Sequence, residues 1–236
     1  NQLGSDSERE ARDYLDAVAA GIEVSFLQVA SRTAGDGLLD AVERVDADVL
    51  VVGSSASGAL GQVVLGSTTD WLMHASPIPV ALSPRGYRGS RSGALGRITC
   101  AYSGTPESVR VVERLAALTA TLQVPLRVVS YAIRGRTMFP PEVGLHAEDS
   151  LLDAWASQLR QITAKLKSDN IVGDDVELAV IAGNGWDQAL DATAWEDGDV
   201  LALGTTSRRD IKGVFLGSHG AKIIRHSPVP VLVLPA

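Results

Sequence analysis

The chain writes one passage twice. "DADVLVVG" at 46–53 and "DGDVLALG" at 197–204 open the two versions, and "SPIPVALSP" at 76–84 and "SPVPVLVLP" at 227–235 close them. Gly204 minus Gly53, Gly217 minus Gly66 and Pro228 minus Pro77 all give 151, so the register holds without a gap. Solenoid repeats run to roughly 20–50 residues, so this period describes two copies of a domain. Whatever one copy folds into, the other must resemble.

The second copy carries a complete pattern. Apolar runs at 97–104, 125–133, 175–183, 199–204 and 229–235 read as strands, and helical spacing appears at 106–122, 148–167, near 186–196 and from about 218 to 226. Strand and helix alternate. The strand runs are continuously rich in Val and Leu rather than alternating, which marks strands covered on both faces, as in a parallel sheet between helix layers. The expected fold class is α/β, with two doubly wound, five-stranded parallel-sheet domains, the first of them incomplete. The offset pairs the opening helix of the first copy, 5–21, and a strand at 22–30 with the helix ending near Lys167 and the strand ending near Gly183. Its first strand, first helix and second strand have no counterpart in the sequence, which opens on Asn1, and further residues are expected upstream in the native protein. "RGYRGSRSGALGR" at 85–97 is the natural linker, giving domains at 1–88 and 97–236 with 89–96 between them.

Charge and cysteine usage narrow the function classes. A net charge of -7, a pI near 5.1 and the lack of any basic run leave out the electrostatic footprint of a nucleic-acid binder. No apolar stretch approaches the roughly 20 residues that span a bilayer. Cys100 is the single cysteine, so neither an intrachain disulfide nor a cysteine metal site can form, and a reducing cytoplasm is the expected compartment. The histidines His74, His146, His219 and His226 show no i,i+4 pairing, with His146 reading as loop. No metal is expected beyond one carried by a nucleotide as Mg.

The repeated glycines fall where ligands of parallel sheets bind, at the carboxyl ends of the strands. Gly53 and Gly204 end a strand, and Gly66-Ser67 and Gly217-Ser218 open the following helix, whose free N–H groups attract anions. The plainer use of Gly-Ser is a turn and a helix cap. The spacing Gly53, Ala56, then nine residues to Gly66-Ser67, followed by "HASPIPVAL", resembles the universal stress protein family. It recurs as Gly204, Ser207, nine residues, Gly217-Ser218 and "RHSPVPVLVLP". The resemblance implies a tandem universal stress protein acting in stress survival and signalling. It implies ATP or another adenine nucleotide held at Val52, Gly53, Ala56, Gly66, Ser67 and Thr68, and at Leu203, Gly204, Ser207, Gly217, Ser218 and His219. Two departures stand out: Ala56 and Ser207 replace the second glycine of the motif, and Tyr102 replaces the aspartate that ends the first strand. Ala56 depends on its φ, the neighbouring Arg208 and Arg209 can reach phosphates, and Tyr102 either plugs the pocket or stacks on a base, plugging being the reading adopted.

Near these loops there is no paired carboxylate or nucleophile with its base, so a binding module is expected rather than an enzyme. "SGTPES" at 103–108 faintly resembles the phosphate loop of PP-loop ATP pyrophosphatases, but Pro106 lacks an N–H and the segment reads equally as a helix start with Pro at N1. A third reading is a scaffold without ligand, in which the two final strands pair antiparallel and the copies form an internal pseudo-dimer, with a homodimer beyond it left open.

Overall fold

The structure is a computed structural model that describes residues 9, 12–13, 23–55, 60–61, 63–133, 145–207, 214–215 and 218–235. By its contacts the chain divides into two compact units, 1–46 and 47–236.

In the first unit, helix α1 (Ala34–Val45) is started by Thr33, whose hydroxyl accepts from the Asp36 N–H at 3.1 Å. Asp46 ends it in the left-handed region at φ 51. Of the helix read at 5–21, residues 9, 12 and 13 are described and are helical. The Arg12 guanidinium lies 4.3 Å from the centre of the Phe26 ring.

The second unit runs β1 (Leu50–Gly53), α2 (Ser67–Ala75), β2 (Val80–Ser83), β3 (Arg97–Ala101), α3 (Pro106–Leu122), β4 (Leu126–Ile133), α4 (Leu145–Ser168), β5 (Glu177–Gly183), α5 (Trp186–Asp191), β6 (Asp199–Gly204), the ribbon strands β7 (Thr206–Ser207) and β8 (Val214–Phe215), α6 (Ser218–His226) and β9 (Val231–Leu234). Seven strands form one sheet in the order β1-β2-β9-β6-β3-β4-β5. The last five are the complete parallel sheet of the second copy. Side chains alternate between its faces. Ile98, Cys100, Ala202 and Leu234 face a core with Val111, Val112, Leu115 and Leu166 of α3 and α4. Leu201, Leu203, Val231 and Val233 face the other core, with Leu190, Ile223 and Ile224 of α5 and α6. Burial on both faces is why these strands read as unbroken apolar runs.

The repeat is carried into the fold. Ser67–Ala75 maps onto Ser218–His226 and Val80–Ser83 onto Val231–Leu234, both at the offset of 151. β2 and β9 pair antiparallel as Val80↔Val233, Ala81↔Leu232 and Leu82↔Val231. Adding the offset to one side returns the same pairs, so a local pseudo-two-fold axis passes between Ala81 and Leu232. The expected antiparallel pairing of the final strands is thus present, and it joins the two copies' strands into a continuous sheet.

At the amino ends of the strands, Asp199 is buried and accepts from Arg97 Nε at 3.0 Å and Nη2 at 2.7 Å. Arg127, also buried, donates to Thr99 Oγ1 at 3.1 Å and to the Ala194 carbonyl at 2.9 Å. The Asp199 bonds hold the Arg97 guanidinium charged more firmly, whereas burial first and Arg97 second push Arg127 the other way. This network ties the amino ends of β3, β4 and β6 together.

Three sequence expectations need correction. Residues 23–30 form no strand. Apolar alternation supplies a face but not a hydrogen-bonding neighbour. In the second copy β5 lies along β4 from Arg127↔Glu177 to Ile133↔Gly183, whereas among the described residues no strand pairs with 23–30. Helix α4 begins at Leu145 and so takes in His146, read from sequence as loop; the loop at 134–144 lies outside the described residues. The helix read near 186–196 is the shorter α5, ended by the turn before Trp195, whose indole N–H donates to the Leu190 carbonyl at 2.7 Å.

Candidate functional site

The strand-to-helix corner is closed in the same way in both copies. The Ser54 N–H donates to the Ser83 carbonyl at 3.0 Å, and its equivalent Thr205 donates to the Leu234 carbonyl at 3.0 Å. Ser55 then donates to the Val64 carbonyl at 2.9 Å, and Thr206 pairs with Phe215 in the β7–β8 ribbon. The Val64 N–H is taken by the Ser54 hydroxyl at 2.7 Å. These amides serve the loop itself. What remains open to an anion is the first turn of the following helix.

In the first copy Val52 is half-buried, Gly53 ends β1 with open space where a Cβ would stand, and Gly66 precedes α2 with no side-chain cap. Ser67 and Thr68 begin α2. Ala56 lies outside the described residues, as do Gly217, Arg208 and Arg209. In the second copy Leu203 and Gly204 end β6, Ser207 is in β7, and Ser218 and the exposed His219 open α6. Gly204 has a reason for lacking a side chain that the sequence does not reveal: a Cβ there would collide with Val111 of α3.

Two adjoining cavities lie at the carboxyl ends of the second copy's strands. The smaller, about 300 Å³, is bounded by Ser103, Thr105, Glu107, Gly204, His219 and Gly220, among others. The larger, about 760 Å³, lies against Tyr102, Tyr131, Trp155, Trp186, Asp187 and Lys222, among others. Ala101, Ser103, His219 and Ile223 belong to both walls. This is the crevice in which ligands of doubly wound sheets bind.

Tyr102 bounds the larger cavity rather than filling it. Its ring is 6% exposed and belongs to the core with Cys100 and Val111. Burial, with Asp169 and Cys100 adding to it, raises its pKa, and burial pushes Tyr131 up to about 12 against the pull of its Thr193 hydrogen bond and Arg127. Neither phenol ionises near neutral pH, so neither serves as a base. At 103–108, Thr105 caps α3 by accepting from the Ser108 N–H at 3.2 Å, and Pro106 stands in the first turn. A helix start explains that segment. Among the described residues no group of three or more His, Cys, Asp or Glu could hold a metal, and no helix is long and apolar enough to cross a membrane.

The universal stress protein family pattern matches residues 2–84 and 95–235, in two segments. The chain belongs to the universal stress protein family. It is 54% identical over 234 residues to a universal stress protein of Mycobacterium tuberculosis, covering 99% of this chain and 80% of that protein. Its fold is similar to a crystal structure of a universal stress protein from Archaeoglobus fulgidus, with a TM-score of 0.64 at 18% identity, covering 99% of this chain and 79% of that one. A universal stress protein of Pseudomonas aeruginosa, known as a crystal structure, gives a TM-score of 0.62 at 15% identity, covering 97% and 78%.

Of the residues singled out by sequence, the structure gathers Leu203, Gly204 and His219 at the smaller cavity and brings His219 to the larger one. Tyr102, also singled out by sequence, lines the larger cavity, whereas Tyr131, Trp155 and Trp186 on the same wall went unread. Trp186 follows the end of β5 directly, in "GNGW" at 183–186, and a large aromatic at the carboxyl end of a parallel strand was the available signal. Tyr131 and Trp155 sit within ordinary strand and helix patterns and carried none.

Proposed function

We propose that the chain is a stress-response binding module whose second copy holds an adenine nucleotide, ATP or a smaller one, in the two joined cavities. The observation that carries this is their placement: together they open at the carboxyl ends of β3, β4 and β6, with the first turn of α6 on one side and aromatic rings on the other. A nucleotide needs both an anion-accepting end and a ring-accepting end. Among the second copy's residues, Ser218, His219 and Gly220 begin the helix that would face the phosphate, and Lys222 adds a cation one turn on. Any Mg would arrive with the nucleotide. The role is binding rather than turnover, a nucleotide-dependent change in the surface offered to a partner in the cytoplasm. Isothermal titration with ATP, AMP and cyclic AMP tests it: heat with at least one is expected, and silence with all three refutes it.

The β2–β9 seam favours a second reading, a ligand-free scaffold in which domains 1–88 and 97–236 act as an internal pseudo-dimer. Silence in the titration combined with retained partner capture would support it.

A further inference from the structure

We infer that the larger cavity is a ring-stacking site whose specificity is set by Trp155 and Trp186, so that the ligand is recognised by a planar heteroaromatic ring before its phosphate. The inference rests on the nucleotide reading and assigns the ring end of that site. The chain holds only four Trp, four Tyr and three Phe in 236 residues, yet four of these eleven rings (Tyr102, Tyr131, Trp155 and Trp186) line this one cavity. Such crowding in an aromatic-poor chain points to a ligand with a π-face.

The rings divide by what surrounds them. Tyr102 is built into the core, and the Tyr131 hydroxyl is 3.2 Å from Thr193 Oγ1, so both belong to the scaffold. Trp186 packs edge-on to Tyr131 at 5.8 Å between centroids and lies 5.6 Å from the His219 imidazole, so two neighbouring rings hold it in place. Trp155, on α4, is 55% exposed and lines the cavity, so its ring is open to a ligand there. Among the described residues neither indole N–H donates to a protein acceptor, in contrast to Trp195, which spends its own on Leu190. The remaining polar groups sort by charge. Asp187 offers an acceptor for the exocyclic amine of a base, and Lys222 with the start of α6 offers a seat for an anion. A ring bearing an amine on one side and a phosphate on the other fits that order. Inorganic phosphate or a sugar phosphate satisfies only half of it.

Tryptophan fluorescence and isothermal titration with AMP and with ribose 5-phosphate, on the whole chain, test the assignment. Wild type is expected to show quenching with AMP and at least about tenfold tighter binding of AMP than of ribose 5-phosphate. Trp186→Leu and Trp155→Ala should each weaken AMP by about tenfold and leave ribose 5-phosphate within about twofold. Trp155 is exposed, so its variant keeps the test valid even if Trp186→Leu fails to fold. Equal AMP affinity in wild type and Trp155→Ala, with no quenching, overturns the ring assignment while leaving the nucleotide reading standing. No binding of AMP to wild type overturns the ring assignment, and silence with ATP and cyclic AMP as well overturns the nucleotide reading too.

Discussion

Asp48 and Asp199 occupy the same place in the two copies, as do Gly53 and Gly204, and Val51 and Ala202. Their surroundings differ. Asp199 is buried against two arginines, and Asp48 is exposed. Gly204 backs onto Val111, whereas nothing stands within 4 Å of the Cβ position at Gly53. Ala202 is 0% exposed and Val51 is 65% exposed. For the Val51/Ala202 and Gly53/Gly204 pairs the strand register is shared, Leu50↔Val80 matching Leu201↔Val231, whereas Asp199 lies in β6 and Asp48 precedes β1. The shared register comes from the repeated strand pairing, and the difference in burial follows β3, α3 and β4, which pack against the second copy's strands.

The largest effect is expected at the seam. Replacing both Val80 and Val231 with Lys buries two unpaired ammonium groups in the strands that join the copies, at positions 2% and 0% exposed. Several kcal/mol should be lost, lowering the melting temperature by on the order of 10 °C. An unchanged melt would show that the seam is not a principal contact.

The paired aspartates come next. Asp199→Ala leaves Arg97 and Arg127 without their shared carboxylate and should cost about 3–5 kcal/mol in urea unfolding. Asp48→Ala should stay within about 0.5 kcal/mol. Equal losses would break the contrast between the copies. The glycine pair gives a smaller gap. Gly204→Ala forces β6 and α3 apart for about 1–3 kcal/mol, and Gly53→Ala should be near neutral because its space is open.

The smallest effect reports the second copy's core through pH. Burial pushes the Cys100 thiol from 9.0 and the Tyr131 phenol from 10.0, each up to about 12. Both are acids whose neutral form the fold favours, so the unfolded chain ionises first and stability should fall as pH climbs from about 9 toward 12. Urea midpoints across that window, with tyrosinate absorbance followed in parallel, check this. Full phenol ionisation in the native state near pH 10 would contradict the burial of Tyr131.

Much of this was legible in the residues. The offset of 151 and the Val/Leu runs carried the parallel sheet, because two-face burial leaves a compositional mark. Residues 23–30 show the limit: their alternation is strand-like, but a strand is a relation between two segments, and pairing is not written in either one alone. The site was half legible for a similar reason. Leu203, Gly204 and His219 lie beside a motif with fixed spacing, whereas Tyr131, Trp155 and Trp186 are separated by up to 55 positions and meet only through the topology of β4, α4 and α5. Gly204 looked like a ligand's doorway and turned out to be a packing contact as well.

The stoichiometry of nucleotide binding tests the contrast between the copies most directly. Isothermal titration of ATP and AMP should give one site per chain, abolished by Ser103→Trp, which fills space common to both cavities, and unmoved by Ser67→Ala at the first copy's helix start. Two sites per chain, or a single site that survives Ser103→Trp and vanishes with Ser67→Ala, would contradict it.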